Sequence, residues 1–296
     1  MAGHVPRIRS RLSLPEARKI RGLLEGQYAS SVIGRGMEFN DLREYVRGDD
    51  VKDLDWKASA RSGALLVKRY VTVRQHQVEL VVPTGRSMAA AHTLELSKRD
   101  VAVEVAGIVG WLAVMHGDVV GTVWGDADRH HALRARTGEL HLERCLTAVH
   151  DATSVDAPPS DLAGTLRHLA QAVRRRSIVL VVGEAEEPSD ELVRVMRRLA
   201  AQHQVLMVSV ADLDPVSVPV RAPAAHDIGD ERALPSWLRG DARLAADLRN
   251  RRAATVAALR SLLTGLGVAY EHLDPGTTPL AAVQRLVGRS RQARRG

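Results

Sequence analysis

Two hydrophobic periods run along this chain, and the places where one gives way to the other mark its elements. From residue 76 onward, short Val- and Leu-rich runs alternate with longer stretches whose apolar residues return every three or four positions. The runs 78–82 (VELVV), 118–124 (DVVGTVW), 177–182 (SIVLVV), 204–210 (QVLMVSV) and 268–273 (VAYEHL) read as buried strands. Residues 129–136 read as a short edge strand, and the alternation over 66–73 as an exposed one. Helical spacing predicts helices over 14–26, 98–116, 139–149, 161–174, 189–202 and 251–266, with a last helix from residue 279. A loop rich in Pro, Ala and Asp runs to about residue 230. Strands alternating with helices of this length specify a doubly wound, mostly parallel α/β sheet. The division expected is residues 1–75, an N-terminal helix with a polar segment, and residues 76–296, the α/β domain. Ligands of such sheets bind at the carboxyl ends of the strands, where strand order reverses, so the loop after strand 78–82 is where a site is sought.

Composition refines this picture. Hydrophobic residues make up 45% of the 296 positions but aromatics only 3%, so the core must be built from Val, Leu and Ala, which suits a parallel sheet covered by helices. The single cysteine, Cys145, rules out an internal disulfide framework and reads as a small apolar residue of helix 139–149. The N-terminus lacks an apolar leader, and the longest apolar run, 101–114, is broken by Glu104 and too short for a bilayer, so a cytoplasmic location is expected. The net charge of +7 gathers at the ends, in Arg7, Arg9 and Arg11 and in Arg285, Arg289, Arg291, Arg294 and Arg295. With no aromatics interleaved to stack bases, these ends read as solvated tails with at most membrane contact, and specific nucleic-acid binding is not expected.

The polar segment is the exception to the aromatic scarcity. Residues 34–70 carry Phe39, Tyr45, Trp56 and Tyr70, and Asp49, Asp50, Asp53 and Asp55 alternate with Arg47, Lys52 and Lys57. That pattern predicts backbone folded into turns, pinned by large side chains and self-paired in charge. GRGMEF lacks the third glycine of a dinucleotide fingerprint, and the aspartate run lacks the glycine and terminal glutamate of a calcium loop.

The order Gly36, Glu38, Phe39, Leu42, Arg43, Tyr45, Gly48, Asp49, Asp50, Asp55, Trp56, Ser59, Ala60, Arg61 and Gly63 resembles the signature of the domain of unknown function 58 family. The resemblance implies a bacterial protein with a von Willebrand factor A-like domain behind the signature. It also implies a MoxR-type AAA+ ATPase as partner, together with that ATPase's client proteins. Many relatives carry membrane helices before the motif; none is read in this sequence, and a soluble member of the family is expected.

In proteins with that fold, the first strand is followed by Asp-x-Ser-x-Ser, which holds a divalent cation together with a threonine and an acid from two other loops. The resemblance places Pro83 at the aspartate and Gly85 at the first serine, and leaves only Ser87. Ser160 sits at the threonine position, and Glu184 is the nearest distal acid, with Glu186 and Glu187 behind it. This is a degenerate metal site: magnesium wants a carboxylate in a preformed octahedron, so its loss argues against Mg2+ as a cofactor. Ser160 also reads as the N-cap of helix 161–174, and Glu184 as a solvated acid. An alternative is a metal-dependent adhesion-type binding module.

A second alternative is a serine hydrolase. Gly85, Arg86, Ser87, Met88 and Ala89 approximate a nucleophile elbow, and Asp212 or Asp214 with His272 would complete the order. Against it, residues 90–97 separate the serine from its helix. His130 and His131 point to opposite faces of a strand, so neither they nor His141 form a metal pair. The function expected is a non-enzymatic scaffold or adaptor. Glu38, Arg43, Asp49, Asp50, Asp55, Trp56 and Arg61 are its residues of choice, either locking the segment in place or forming the partner surface.

Overall fold

The computed structural model describes residues 3–12, 37–72, 75–216, 218–219, 226–229 and 232–292. The chain divides into two units, residues 1–28 with 76–296 and residues 29–75.

The larger unit is built on a six-stranded sheet. Its strands are β3 (Gln77–Pro83), β4 (Val119–Gly125), β5 (His130–Arg136), β6 (Ile178–Gly183), β7 (Gln204–Val210) and β8 (Ala269–Leu273). They lie in the order β5-β4-β3-β6-β7-β8, all parallel except β5, which runs antiparallel to β4 on one edge. Order therefore reverses between β3 and β6, which makes the carboxyl ends of those two strands the switch point of a doubly wound sheet. Helices cover both faces. Val78, Leu80 and Val82 of β3 point into one apolar cluster and Val81 into the other, as the two-residue period of a strand requires.

The first cluster is closed by α1 (His4–Arg11), α3 (Lys98–Met115), α4 (Glu139–Ala152) and α8 (Pro279–Gln292). The second is closed by α5 (Leu162–Ala172), α6 (Asp190–Gln202) and α7 (Ala242–Gly265). Helix α3 is buried on nearly all sides from Val101 to Ala113, because α1 and α4 pack on the flank that the sheet leaves free. Two glycines let them approach: a Cβ on Gly107 would lie 2.1 Å from Ile8 Cδ1, and one on Gly110 2.5 Å from Leu142 Cδ1.

Several sequence expectations change here. The arginines at the start are not on a free tail. They ride on α1, whose Val5 and Ile8 are buried, whose first amides donate to the Glu143 carboxylate at 2.7 Å, and whose Arg11 bonds Glu104 at 2.8 Å. Arg285 and Arg289 likewise belong to α8 and pair with Glu271, a β8 carboxylate only 4% exposed. Helix α1 belongs with the α/β unit rather than with the polar segment. The predicted helix 14–26 lies outside the described residues. Helix α7 begins nine residues before the predicted start at residue 251, because Asp241 caps it by accepting from the amides of Arg243 and Leu244.

The smaller unit contains more than turns. β1 (Met37–Glu44) and β2 (Leu66–Thr72) pair antiparallel, with a bulge between Phe39 and Asp41, and the helix α2 (Trp56–Ser62) packs on β2. Asp55 caps α2, its backbone amide donates to Leu66 O at 2.8 Å, and the Ser59 hydroxyl accepts from the Leu66 amide at 2.8 Å. Helix and strand are thus fastened at two points.

Candidate functional site

The switch point carries a compact polar cluster. The chain leaves β3 through Pro83, Thr84 and Gly85, and the Arg86 amide donates to Pro158 O at 2.9 Å, which draws this loop against the one before α5. The approach is so close that a Cβ on Gly85 would lie 2.2 Å from the Ser160 amide nitrogen. Glycine here is a steric requirement, and the serine of a complete cation motif would not fit.

This contact brings Ser87 and Ser160 together, with their hydroxyl oxygens 2.6 Å apart. Ser87 also donates to Glu184 Oε2 at 2.8 Å. The Glu184 carboxylate bridges to Lys98, whose Nζ bonds Glu184 Oε1 and Asp212 Oδ1. Lys98 is the first residue of α3, where side chains lean back toward the helix start, so its stem runs into the cluster. Its exposure is 1%, whereas Glu184 and Asp212 keep side-chain exposures of 26% and 48%. A cation in a helix's first turn is unfavourable against the helix dipole, and the two carboxylates offset that. The cluster borders a cleft of about 920 Å³ that extends to Leu94, Leu234 and Arg252. Glu186, a neighbour in the same loop, has its pKa raised by burial and then by the charges of Glu184 and Asp161.

Ser87, Ser160 and Glu184, the three residues predicted to remain from a metal site, therefore do converge. They do not fit a divalent cation. With Lys98 hydrogen-bonded to the carboxylate that would ligate it, an incoming ion would meet a unit positive charge. At 4 Å and an effective dielectric of 20 that repulsion is about 4 kcal/mol per unit of ion charge. Among the described residues no group of three or more His, Cys, Asp and Glu side chains is placed to hold a metal.

Sequence reasoning missed Lys98 and Asp212 as partners. The available signal was the loss of the aspartate at Pro83 while a lysine opened the next helix. Two other readings are corrected. The cap of α5 is Asp161, which accepts from the Gly164 amide at 2.8 Å, and Ser160 faces Ser87 instead. Glu184 is a bridging acid, not a solvated one.

The hydrolase constellation is not assembled. Ser87 bonds Ser160 and Glu184, while His272 bonds the Ser209 hydroxyl at 2.7 Å and lies 3.4 Å from Asp274. Burial lowers the His272 pKa. His130 and His131 go separate ways, the first stacking on His168 and the second on Trp124. Cys145 is buried 3.6 Å from His141, and burial pushes its thiol up to about 12.

In the smaller unit the pairs of Arg43 with Asp49 and of Lys68 with Asp55 close internally. Arg43 donates twice to Asp49, at 2.6 and 2.7 Å, which raises the Arg43 pKa and lowers that of Asp49. Asp49 also accepts from the Val46 amide at 2.9 Å across a turn in which Gly48 has φ +117°. Asp50 accepts from the Lys52 amide at 3.0 Å. Asp55 accepts from the Lys57 and Ala58 amides and lies 3.7 Å from Lys68, and the bond from Ala58 does most to lower its pKa. Tyr45 donates its amide to Leu65 O at 2.8 Å. Glu38 and Phe39 lie on β1 opposite Val71 and Tyr70, Arg61 is exposed on α2, and Gly36 lies outside the described residues. Trp56, by contrast, is 64% exposed, with Val46, Val51 and Leu65 exposed in the same unit.

The family model of the protein of unknown function DUF58 matches residues 41–230, most of the signature together with every member of the Ser87 cluster. The chain belongs to the DUF58 family. Uncharacterized proteins of Mycobacterium bovis and Mycobacterium tuberculosis are each 28% identical over 290 residues, covering 95% of this chain and 88% of theirs. Among solved structures, the conserved hypothetical protein BatB from Bacteroides thetaiotaomicron aligns with a TM-score of 0.47 at 13% identity, over 75% of this chain and 100% of that one. An aerotolerance-related membrane protein from Bacteroides fragilis aligns with a TM-score of 0.46 at 12% identity, again over 75% and 100%. A von Willebrand factor type A protein from Catenulispora acidiphila aligns with a TM-score of 0.44 at 9% identity, over 77% of this chain and 44% of that one. Among the described residues of this DUF58 chain, no helix is long and apolar enough to cross a membrane.

Proposed function

We propose that the protein is a non-enzymatic, cytoplasmic scaffold or adaptor that binds a MoxR-type AAA+ ATPase and serves in the assembly or maturation of client proteins. The observation that carries this reading is Trp56. It is a large aromatic left 64% exposed at the start of a helix whose N-cap, Asp55, is already engaged within the unit by the Lys57 and Ala58 amides and by Lys68. An exposed tryptophan on an internally satisfied framework has the make-up of an interface anchor. Val46, Val51 and Leu65 supply further apolar surface. The identity of the partner rests on the family resemblance. The Ser87 cluster supports the non-enzymatic part, because its hydroxyls and carboxylates are bonded to one another and to Lys98, and among the described residues Ser87 is bonded to Ser160 and Glu184 rather than to a histidine. Affinity purification of the intact protein from its own cells at physiological salt is expected to recover the ATPase. Recovery of no complex with it would refute the reading.

A further inference from the structure

We infer that the Lys98 ammonium is a tethered cation that holds the place a divalent ion would take at the switch point, so that the four oxygen-bearing side chains around it work without metal. Four side chains from four places in the chain converge there: Ser87 after β3, Ser160 before α5, Glu184 after β6 and Asp212 after β7. Oxygen donors gathered from several loops at the carboxyl edge of a sheet are the ligand type of a hard cation. Two features turn that arrangement away from one. Gly85 leaves no room for a further hydroxyl, since any side chain there would collide with the Ser160 backbone. The centre of positive charge is covalent: Lys98, 1% exposed, bonds one oxygen of Glu184 while Ser87 donates to the other, and reaches Asp212 as well.

A carboxylate shared between a hydroxyl and an ammonium has both oxygens engaged, as it would in a metal's coordination shell. The difference is that this charge cannot dissociate. Its position is set by Ser97, which caps α3 in a reciprocal box with Asp100, and by the Lys98 amide, which donates to Ala90 O at 2.8 Å. The lysine is thus aimed by backbone geometry into the cluster. Removing only its charge should uncover the site: Lys98→Met keeps most of the stem and leaves the Glu184 and Asp212 carboxylates at the vacated position, with the Ser87 and Ser160 hydroxyls linked to it through Glu184.

The test is a Mn2+ titration of the full chain, followed by the electron paramagnetic resonance signal of free Mn2+ and by melting temperature. The wild type is expected to show no saturable site up to about millimolar Mn2+ and no change in melting temperature with Mn2+ or with chelator. Lys98→Met is expected to melt lower, to bind one Mn2+ at least tenfold more tightly than the wild type, and to regain melting temperature with the ion. The Lys98→Met/Glu184→Gln double variant is expected to lose that gain. A wild-type Mn2+ site abolished by Ser87→Ala would overturn the inference, as would a folded Lys98→Met that binds no better than wild type. Should Lys98→Met fold only with Mn2+ present, and not with the same concentration of Na+, the inference stands. Failure to fold in either counts against it.

Discussion

At the scale of single residues, the chain buries charge in three ways that differ in cost. Lys98 is matched by two acids, and Glu271 by two arginines. Glu79 in the middle of β3 has no cation beside it among the described residues: it is 2% exposed, accepts from the Gln77 side-chain amide at 2.6 Å, and lies over Gly121, where a Cβ would meet Oε2 at 2.4 Å. Burial therefore pushes its pKa from 4.5 up to about 7. Between those values the folded protein holds a proton that the unfolded chain has released, so Glu79 makes stability fall as pH rises through that window. The full loss is on the order of 3 kcal/mol. Glu79→Gln should remove it. In urea unfolding the variant is expected to be more stable than wild type by about 1–3 kcal/mol at pH 8 and to differ little at pH 4. Equal stabilities at pH 8 would contradict this account of Glu79.

At the scale of elements, what could be read in advance was what periodicity encodes. The buried strands 78–82 and 204–210 and the helix from residue 98 stand close to where their apolar patterns put them, because each buries its apolar faces against the neighbouring layers. What could not be read was set by contacts between distant segments. Helix α1 has only Val5 and Ile8 to announce it among arginines, and it is stable because Gly107, a hundred residues away, opens a notch for Ile8. Ser87, Ser160 and Glu184 were legible as a set through the family pattern. Lys98 was harder to read, since a lysine at a helix start ordinarily points to water, and its one signal, the aspartate missing at Pro83, lies in another segment. Ile8→Ala measures how far α1 belongs to the core: the variant is expected to lose about 2–4 kcal/mol in denaturant unfolding. A change within about 0.5 kcal/mol, the level of a surface substitution, would make α1 a tail after all.

At the scale of the whole molecule, two units carry different chemistry. The α/β unit has the switch-point geometry at which its fold class binds ligands, yet its polar groups there are bonded to one another around Lys98. The smaller unit closes the pairs of Arg43 with Asp49 and of Lys68 with Asp55 and leaves Trp56 exposed. The proposed function places partner recognition on the smaller unit, and the measurement that tests this most directly compares two variants in one binding experiment. Affinity of the intact protein for the MoxR-type ATPase is measured for wild type, Trp56→Ala and Ser87→Ala, with folding checked by circular dichroism. The account predicts that Trp56→Ala weakens binding at least tenfold, about 1.4 kcal/mol or more, while Ser87→Ala binds as wild type does. Lost binding in Ser87→Ala with Trp56→Ala unaffected would place recognition at the switch point and contradict it.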